Sequence, residues 1–414
     1  MPIKLKVART AQELDDVFKL RYDVYVTEGD KFSEKRAASD GRIVDHFDTL
    51  PEVANVVAYD GDTAIASFRV NKDSAIGLAP ERYFDFAQAR ALIVRSSEEV
   101  KAAPCIVSGS MLAIRKQWRH KRNVIMALFK KTISVMSGWG ATHVFGAASA
   151  DTFSLYGRLG FKTVAEGQWV QSVGDRLIPM MASFDEAFAW AFGWDASVKK
   201  NFWFDNSQAD FETLLLSPGE VLFKQNDEAE YAYSIVKGGV SISRQGPDDS
   251  SLVIAQLGKG TLFGELAIFD GERRNASATA VMNTQLIAIK RDCMLDLLYQ
   301  DRKKIEQLLK HFAQRLRETD HLSMVQQFAP QTSRVSYALQ QLWGSAQAQE
   351  ACSATRSMRI GAKQIAKSAE VRESEVLRIL EMGRATGGLD YADDMVRFFR
   401  APDNEGFVGT SRPQ

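Results

Sequence analysis

Residues Phe263–Ala280 read FGELAIFDGERRNASATA, and this stretch decides the fold of the middle of the chain. It follows a series of short runs in which apolar residues alternate with polar ones, separated by Gly and Asp turns. These runs are Tyr231–Val236, Val240–Arg244 and Leu252–Leu257. Regular short strands with turn signals predict an all-β roll or sandwich over about residues 205–298.

Two tripeptides within this stretch carry the chemistry. Gly264-Glu265-Leu266 is followed by Arg274-Asn275-Ala276, and LSPGEVLF at Leu216–Phe223 and YSIVKGGV at Tyr233–Val240 precede them. The set resembles the cyclic-nucleotide-binding domain, over roughly residues 205–325. The resemblance implies that Arg274 meets the cyclic phosphate with a rigid donor fork. Backbone N–H groups around the two tripeptides would complete the anion cradle, and Glu265 would accept the ribose 2′-hydroxyl.

A residue further along the chain is expected to contact the base of the nucleotide. In the bacterial activators that this segment resembles, a hydroxyl on a long dimer helix caps the purine, and the ungapped register brings Thr319 to that position. A single hydroxyl does not strictly discriminate adenine from guanine, so cyclic AMP is favoured over cyclic GMP as effector on family grounds. The alternative is a vestigial fold with a surface Arg-Glu pair, but Arg274 and Glu265 are both retained.

Length and composition bound the rest of the chain. Its 414 residues correspond to about three domains. Lys plus Arg and Asp plus Glu both number 52, so the whole chain is not a polycationic nucleic-acid coat. Cys105, Cys293 and Cys352 lie far apart, so neither a metal site nor a disulfide framework is expected. The start has no signal-peptide core and no apolar run reaches the ~18 residues of a membrane helix, so a cytoplasmic protein without membrane contact is expected.

The first segment, residues 1–196, predicts a mixed α/β domain. Helices are expected at Ala11–Tyr25 and Val124–Ser137, and strands at Val53–Tyr59, Ala64–Val70, Cys105–Ile114 and Thr142–Phe145. Several motifs follow in an order that resembles the GNAT-type acyltransferase fold over about residues 1–185. They are LRYD at Leu20–Asp23, DHFD at Asp45–Asp48, ASFRV at Ala66–Val70, SGSMLAIRKQWRHKR at Ser108–Arg122 and LYGRLGF at Leu155–Phe161. The closer likeness is to the acyl-homoserine-lactone synthase and N-acyl-amino-acid synthase branch.

This resemblance implies where a thioester donor binds. A bulged strand, here Val107–Ile114, pairs with the pantetheine arm, and the next turn offers N–H groups to phosphate. The residues concerned are Leu112, Ala113, Ile114, Arg119, Lys121, Arg122, Asn123 and Val124. Ordinary GNAT enzymes have glycines at the positions of Arg122 and Val124, which favours acyl-carrier protein as an alternative to acyl-coenzyme A. Basic side chains within 115–122 would meet this acidic carrier, or they form a solvated face.

Further polar residues are implied at the reacting end. Tyr156 lies where GNAT enzymes often place a general acid for the departing thiolate, and its alternative is a packing role. Four residues match polar positions that shape the acceptor end in the lactone synthases: Arg21, Asp45, Asp48 and Arg69. The lactone synthases carry a Glu and an Arg where this chain has Ser108 and Met111. That difference argues against homoserine-lactone synthesis and leaves the acceptor open.

A long helix is expected from Asp301 to Phe328. Its apolar seam of Ile305, Leu309, Phe312, Leu316 and Thr319 has spacings of four and three, which favours a homodimer over packing on its own domain. Pro330 ends the helix. The predicted domains are thus 1–196, 205–328 and 330–402, with a tail at 403–414.

The last segment resembles a helix-turn-helix reader of DNA. Gln364–Leu380 reads QIAKSAEVRESEVLRIL, like the winged helix-turn-helix of the Crp/Fnr-type regulators. Glu370 occupies the position at which the resembled regulators have the glycine of the turn. Glu373 occupies the position of the arginine that would make a bidentate contact with guanine. Arg372, Ser374 and Arg378 are the candidates for DNA contact, but the near-neutral segment argues against specific DNA binding.

Two functions follow from these resemblances. The first is a cyclic-nucleotide-regulated N-acyltransferase with a thioester donor and an amine acceptor. The second is a cyclic-nucleotide-responsive Crp/Fnr-type transcription regulator with an inert acyltransferase-like sensor domain. A poor DNA-reading surface beside the basic donor turn and Tyr156 favours the enzyme, whose activity the nucleotide would alter through the helix that carries Thr319.

Overall fold

The computed structural model describes residues 2–29, 31–32, 40–100, 103–192, 211–246, 251–300, 302–345, 347–348, 355–392 and 394–402. The chain divides into two compact units, Met1–Leu214 and Leu215–Gln414. The expected domain ends near residues 196 and 205, and the expected tail at 403–414, lie outside the described residues. No helix within the described ranges is both long and apolar enough to span a membrane.

The first unit is a mixed α/β domain. Its strands are β1 Ile3–Val7, β2 Val53–Asp60, β3 Thr63–Lys72, β4 Ile106–Ile114, β5 His143–Ser149, β6 Lys162–Thr163, β7 Gln168–Val170 and β8 Asp175–Ser183. Its α-helices are α1 Ala11–Tyr22, α2 Ala87–Val100, α3 Arg122–Gly138, α4 Ala150–Gly157 and α5 Phe184–Phe192. Shorter turns of 3-10 helix span His46–Thr49, Ala79–Arg82 and Lys116–Trp118, and a π-helical turn spans Asp23–Thr27.

The strands of this unit form one sheet in the order β1-β2-β3-β4-β5-β8-β6, and β7 pairs with β8. Among the described strands of this unit, only β4 and β5 pair in parallel. Thr10 starts α1 with a capping box, in which its hydroxyl accepts from the Glu13 N–H at 3.2 Å. Helix α3 packs on β1, β2 and β3, and α1 packs on β3. The strand predicted at Thr142–Phe145 is longer than expected, because β8 pairs with it as far as Ser149.

The second unit begins within strand β9 Glu212–Leu216, which crosses the division. Its other strands are β10 Val221–Phe223, β11 Tyr231–Lys237, β12 Val240–Gln245, β13 Ser251–Leu257, β14 Leu262–Phe263, β15 Ser277–Ala280, β16 Thr284–Lys290, β17 Gln347–Ala348, β18 Arg356–Arg359, β19 Leu389–Ala392 and β20 Met395–Phe398. Its helices are α6 Leu266–Asp270, α7 Arg291–Gln300, α8 Arg302–Phe328, α9 Gln331–Ser345, α10 Ala362–Ala369 and α11 Glu373–Ala385.

These elements form a β-roll, a long helix and a winged helical domain. In the roll, β10, β15, β12 and β13 make one sheet, and β11 pairs with β14 and β16. After α8 in the chain, helices α9 to α11 pack on the sheet β17-β18-β20-β19 around Val335, Ile365 and Val376. The three-part fold expected from the sequence is therefore confirmed.

Candidate functional site

In the first unit, β4 and β5 separate part-way along their length. They pair only where Ile106–Ser108 faces His143–Phe145, although both strands continue for several residues. Gly109 and Gly146 come directly after the last paired residues, and both line the cavity that opens there. We call this opening the splay. Beyond it, the edge of β4 that faces β5 has no pairing in the described strands.

The splay leads into a largely apolar cavity of about 410 Å³, part of which is open to solvent. The lining includes Phe68 of β3, and Phe129, Ile133 and Met136 along α3. Glycine matters at the mouth, because a Cβ on Gly146 would lie 2.9 Å from the terminal methyl of Met180. Its lining has the polarity that an apolar chain requires.

Tyr156 forms part of the wall of this cavity. Its side chain is buried, and its ring contacts Phe129 and Phe161 edge-on. Burial raises the pKa of its hydroxyl, which matches it poorly to proton donation near neutral pH. These features favour packing over the general-acid alternative, and the catalytic role stays a prediction.

The strand expected to bind the donor is bulged as predicted. The β3–β4 register shifts between Ser67 and Arg69, and Met111 opposite the shift has a left-handed φ of 52°. Tyr25 donates a hydrogen bond to the Leu112 carbonyl at 2.8 Å, and burial raises the pKa of Tyr25 to about 12. The phenol therefore stays a donor that fixes the bulge. Of the other expected donor residues, Ala113 is buried and Ile114 is half-buried.

The basic turn after β4 is only partly available to a ligand. Arg115 pairs with Asp23 at 2.9 Å, and Arg119 pairs with Glu28 at 2.7 Å. The side chains of Lys121, Arg122 and Asn123 are exposed at the start of α3, and Val124 is buried. Lys121 and Arg122, together with the exposed Lys116, therefore provide accessible positive charge at this turn.

All four residues predicted for the acceptor end come together as an internal ion network. Arg21 donates to both oxygens of Asp48 at 3.0 Å, and Arg69 donates to Asp48 at 2.9 Å and to Asp45 at 2.6 Å. Arg21, Arg69 and Asp48 are almost completely buried, while Asp45 keeps 19% of its side chain exposed. Burial by itself would raise the pKa of Asp45. The hydrogen bond and the charge of Arg69 outweigh this effect, so the pKa lies below its usual value.

In the second unit, the residues predicted to bind phosphate pack closely around Gly264. Gly264 has a φ of 70°. Arg274 is buried and donates from Nη1 to the Gly264 carbonyl and from Nη2 to the Tyr231 carbonyl, both at 2.6 Å. Its guanidinium lies 4.2 Å from the centre of the Phe223 ring. Its Nε is buried without a hydrogen-bond partner in the described residues, and burial lowers its pKa.

Glu265 is completely buried next to this arginine. Its Oε1 forms an ion pair with Arg315 of α8, whereas its Oε2 has no partner within the described ranges. Thr319 lies one turn later on α8 and donates to the Arg315 carbonyl at 2.9 Å. Sequence reasoning missed Arg315, although its place four residues before Thr319 could have indicated it.

The remaining predicted nucleotide residues differ in exposure. Leu266 and Asn275 are exposed, and Ala276 is buried. A buried arginine with one unused nitrogen and a buried glutamate with one unused oxygen fit a ligand that carries both an anion and a hydroxyl. The cyclic-nucleotide phosphate and ribose have these groups.

Helix α8 presents most of the predicted seam to solvent within the described protomer. Leu309 is 60% exposed and Leu316 is 64% exposed, and Ile305 is partly exposed. Phe312 is half-buried, and its ring contacts Phe269 of the roll edge-on. The dimer seam, with Phe312 in it, stays a prediction.

In the winged domain, the three candidate DNA-contact residues differ in their availability. Arg372 and Ser374 are exposed at the start of α11, but Arg378 is held by Glu375 through two hydrogen bonds of 2.6 and 3.0 Å. Glu370, at the position of the turn glycine, has a left-handed φ of 52°. No metal-binding group of three or more His, Cys, Asp or Glu side chains occurs in the part of the chain that the structure describes.

Comparison with known families separates the chain into the same parts. Residues 16–183 match the family model of the N-acyl amino acid synthase FeeM, and residues 214–301 match the cyclic nucleotide-binding domain. Each of these two stretches of the chain is therefore similar to a different family. The solved structure of FeeM, an N-acyl amino acid synthase from uncultured soil microbes, covers 45% of this chain and 92% of its own chain, at 14% identity and a TM-score of 0.36. At that score the structural likeness adds nothing to the family match.

Curated relatives match about a third of the chain. The cyclic AMP receptor protein of Thermus thermophilus is 34% identical over 132 residues, which are 32% of this chain and 61% of the receptor. The CRP-like cAMP-activated global transcriptional regulator of Mycobacterium tuberculosis is 34% identical over 125 residues, which are 30% of this chain and 55% of the regulator. The chain therefore spans little more than half the length of these relatives.

Proposed function

We propose that the chain is an N-acyltransferase that moves an acyl group from a thioester donor to the amino group of an amino acid, under the control of a cyclic nucleotide. The observation that carries this proposal is the splay of β4 and β5 into an apolar cavity beside a row of buried polar residues. An acyl chain would fill the cavity. The name of the FeeM family supplies the class of acceptor.

The proposed reaction needs few groups from the protein. The neutral amine attacks the thioester carbonyl carbon, the C–N bond forms as the C–S bond breaks, and the proton lost by the amine goes to the departing thiolate. The free edge of β4 holds the extended arm of the donor by backbone hydrogen bonds, and Tyr25 keeps the bulge in shape through the Leu112 carbonyl. Positioning of the two reactants then supplies much of the rate enhancement.

The donor is acyl-coenzyme A or an acyl-carrier protein. Either one brings a phosphate group on its arm and negative charge near the start of α3, where Lys121 and Arg122 are exposed. A carrier protein would also gain from electrostatic steering, which salt weakens. Donor competition at low and high salt therefore separates the two sources.

The effector in this proposal is a cyclic nucleotide, with cyclic AMP favoured by the names of the curated relatives. Arg274 would take the phosphate, Glu265 the ribose hydroxyl and Thr319 the base. The two buried atoms without partners, Arg274 Nε and Glu265 Oε2, support a ligand at this place. We also propose that a second copy of the chain covers the exposed apolar stripe of α8, and that α11 does not read DNA.

A glycine substitution at the splay tests the transferase. Gly146→Val adds carbon atoms at a position where even a Cβ would lie 2.9 Å from Met180. We expect at least about a tenfold loss of thioester consumption with a long-chain donor, because a misplaced acyl chain loses its reactive position. Gly157→Ala is the matched control, since its added Cβ would meet no atom within 4 Å.

The assay uses the full chain with acyl-coenzyme A or acyl-carrier protein, a mixture of amino acids, and cyclic AMP present or absent. We expect N-acyl product from the wild type and a change in turnover on adding cyclic AMP. Equal thioester consumption by Gly146→Val and the wild type would show that the cavity does not hold the acyl chain. If cyclic AMP changes neither the turnover nor the affinity for the donor, and the donor does not change the affinity for cyclic AMP, the two domains are linked in one chain without functional coupling.

A further inference from the structure

Helix α3 contains a lysine that is almost completely buried. Lys131 lies in the middle of the helix, and only 4% of its surface is exposed. An amino group in such a place costs free energy unless it is hydrogen-bonded. Its Nζ donates to the backbone carbonyl of Phe211, a residue that is itself buried. The two residues are 80 positions apart, so this hydrogen bond fixes a distant stretch of the chain to α3.

The stretch that Lys131 holds leads into strand β9. Glu212 follows Phe211 and forms ion pairs with Lys4 at 3.4 Å and Lys6 at 3.6 Å, both in β1. Two successive residues are therefore attached to two different elements of the first unit. Ion pairs that reach the surface contribute little, so the buried hydrogen bond to Lys131 is the firmer of the two attachments.

The same helix also forms a wall of the apolar cavity at the splay. The residues of α3 that line this cavity are Phe129, Thr132, Ile133 and Met136. Lys131 lies about 100° around the helix axis from Thr132, outside this row. Because hydrogen bonds join each turn of a helix to the next, a shift of Lys131 along the axis moves the cavity wall with it. It also moves the start of α3, where the phosphate of the donor is proposed to bind.

Strand β9 continues from this attachment into the second unit. The first unit ends at Leu214, and Leu215 in the same strand begins the unit that carries the proposed nucleotide site. An extended strand has little slack, because its residues already span close to the maximum length of the chain. A shift of the residues after Leu214 is therefore passed back to Phe211 and, through its carbonyl, to Lys131.

We propose that Lys131 is a positioning residue that transmits cyclic-nucleotide binding to the apolar cavity through its hydrogen bond to the Phe211 carbonyl. This inference rests on the proposed function and names the route of its regulation. A nucleotide changes donor binding only if it binds one position of β9 better than another. The position of α3 that goes with it fits the thioester better or worse, and the ratio of the two donor affinities is the coupling factor.

Lys131→Met tests this route, because it removes the N–H donor and keeps an unbranched side chain. The full chain is titrated in a calorimeter with a long-chain acyl-coenzyme A, or with acyl-carrier protein that carries the same chain, with and without saturating cyclic AMP. No acceptor is present, so the readout does not need turnover. We expect a coupling factor of at least about five in the wild type, and a factor within about twofold of one in Lys131→Met.

Ser134→Ala is the matched control. Ser134 is also buried in α3, but its hydroxyl donates within the helix, to the Lys130 carbonyl at 3.0 Å. This variant should keep the coupling factor of the wild type. If it loses the factor as Lys131→Met does, the loss reflects a general loosening of α3 and the inference is wrong. A melting temperature close to wild type shows that each variant is folded.

The remaining outcomes separate this inference from the function on which it rests. If the wild type shows coupling and Lys131→Met keeps it, the hydrogen bond does not carry the effect, and this inference alone is wrong. If the wild type binds neither donor, or has a factor of one, the proposed function fails and the inference fails with it. If Lys131→Met does not fold, Phe211→Leu loosens the same contact from the strand, and a wild-type factor in that variant overturns the inference.

Discussion

Gly264→Ala is the sharpest test of the nucleotide site, because this glycine touches the predicted phosphate-binding arginine. A Cβ built on Gly264 would lie 2.9 Å from Arg274 Nη1, 3.4 Å from Tyr233 and 3.5 Å from Phe223. The glycine also has a φ of 70°, in the left-handed region. The substitution therefore strains the backbone and displaces the guanidinium at the same time.

The two effects have different magnitudes and different readouts. A left-handed backbone costs about 1–2 kcal/mol for a residue with a Cβ, which lowers the free energy of unfolding. The displaced guanidinium loses its hydrogen bond to the Gly264 carbonyl and its alignment with a phosphate. A hydrogen bond to a charged group contributes about 1.5–3 kcal/mol, so cyclic AMP affinity should fall by about 10- to 100-fold.

Gly271→Ala provides a control with the same backbone cost. Gly271 has a φ of 75°, and a Cβ there would meet no atom within 4 Å. Both variants should unfold at reduced temperatures, Gly264→Ala at the lower of the two because it also loses the Arg274 hydrogen bond, while only Gly264→Ala should lose affinity for cyclic AMP in calorimetry. If Gly264→Ala binds cyclic AMP as tightly as Gly271→Ala does, Arg274 does not take the phosphate in the way described.

Three further outcomes are expected. Leu316→Glu, at a side chain that is 64% exposed, should convert a dimer to monomers in sedimentation at micromolar protein, since a charge would enter the apolar interface. Glu370→Gly should raise the free energy of unfolding by about 1 kcal/mol by removing left-handed strain, whereas Glu381→Gly within helix α11 should lower it by about as much. Asp45→Asn should make the free energy of unfolding depend less on pH in the acid range. Arg69 lowers the pKa of Asp45 in the folded chain, so the wild type loses this contribution as the pH falls below about 4. Unfolding curves measured down to about pH 2 would show the difference between the two proteins. Failure of any one of these curves to shift would contradict the contact on which it is based.

The nucleotide cassette was readable from sequence because its parts are local. Gly264, Glu265 and Arg274 lie within one turn-helix-turn segment, and residue types at fixed spacing indicate their joint purpose. Arg315 was not predicted, because its ion pair with Glu265 joins residues 50 positions apart and depends on how α8 lies on the roll. The contact of Phe312 with Phe269 was not predicted for a related reason, since heptad spacing defines a stripe but not which of its residues the roll contacts.

The proposed transferase site could be predicted only in part from the sequence. The motifs predicted that Arg21, Asp45, Asp48 and Arg69 act together, and the structure joins them in one network. The cavity depends on the pairing of β3 with β4 and on where β4 leaves β5. Neither register can be derived from alternation alone, because alternation gives two faces without saying what each face meets.

The proposed nucleotide site has a property that bears on control of the proposed enzyme. Glu265 is bound to α8 through Arg315 by one oxygen and has its other oxygen unpaired. A ribose hydroxyl that binds Glu265 therefore either adds to this ion pair or competes with it, and in both cases it changes how firmly α8 is held to the roll. Leu309 and Leu316 lie on the same helix, so in the proposed dimer any effect of nucleotide binding on dimer formation is matched by an equal effect of dimer formation on nucleotide affinity. Measuring cyclic AMP affinity across the concentration range of dimer dissociation gives this factor directly, and Arg315→Ala should bring it close to one.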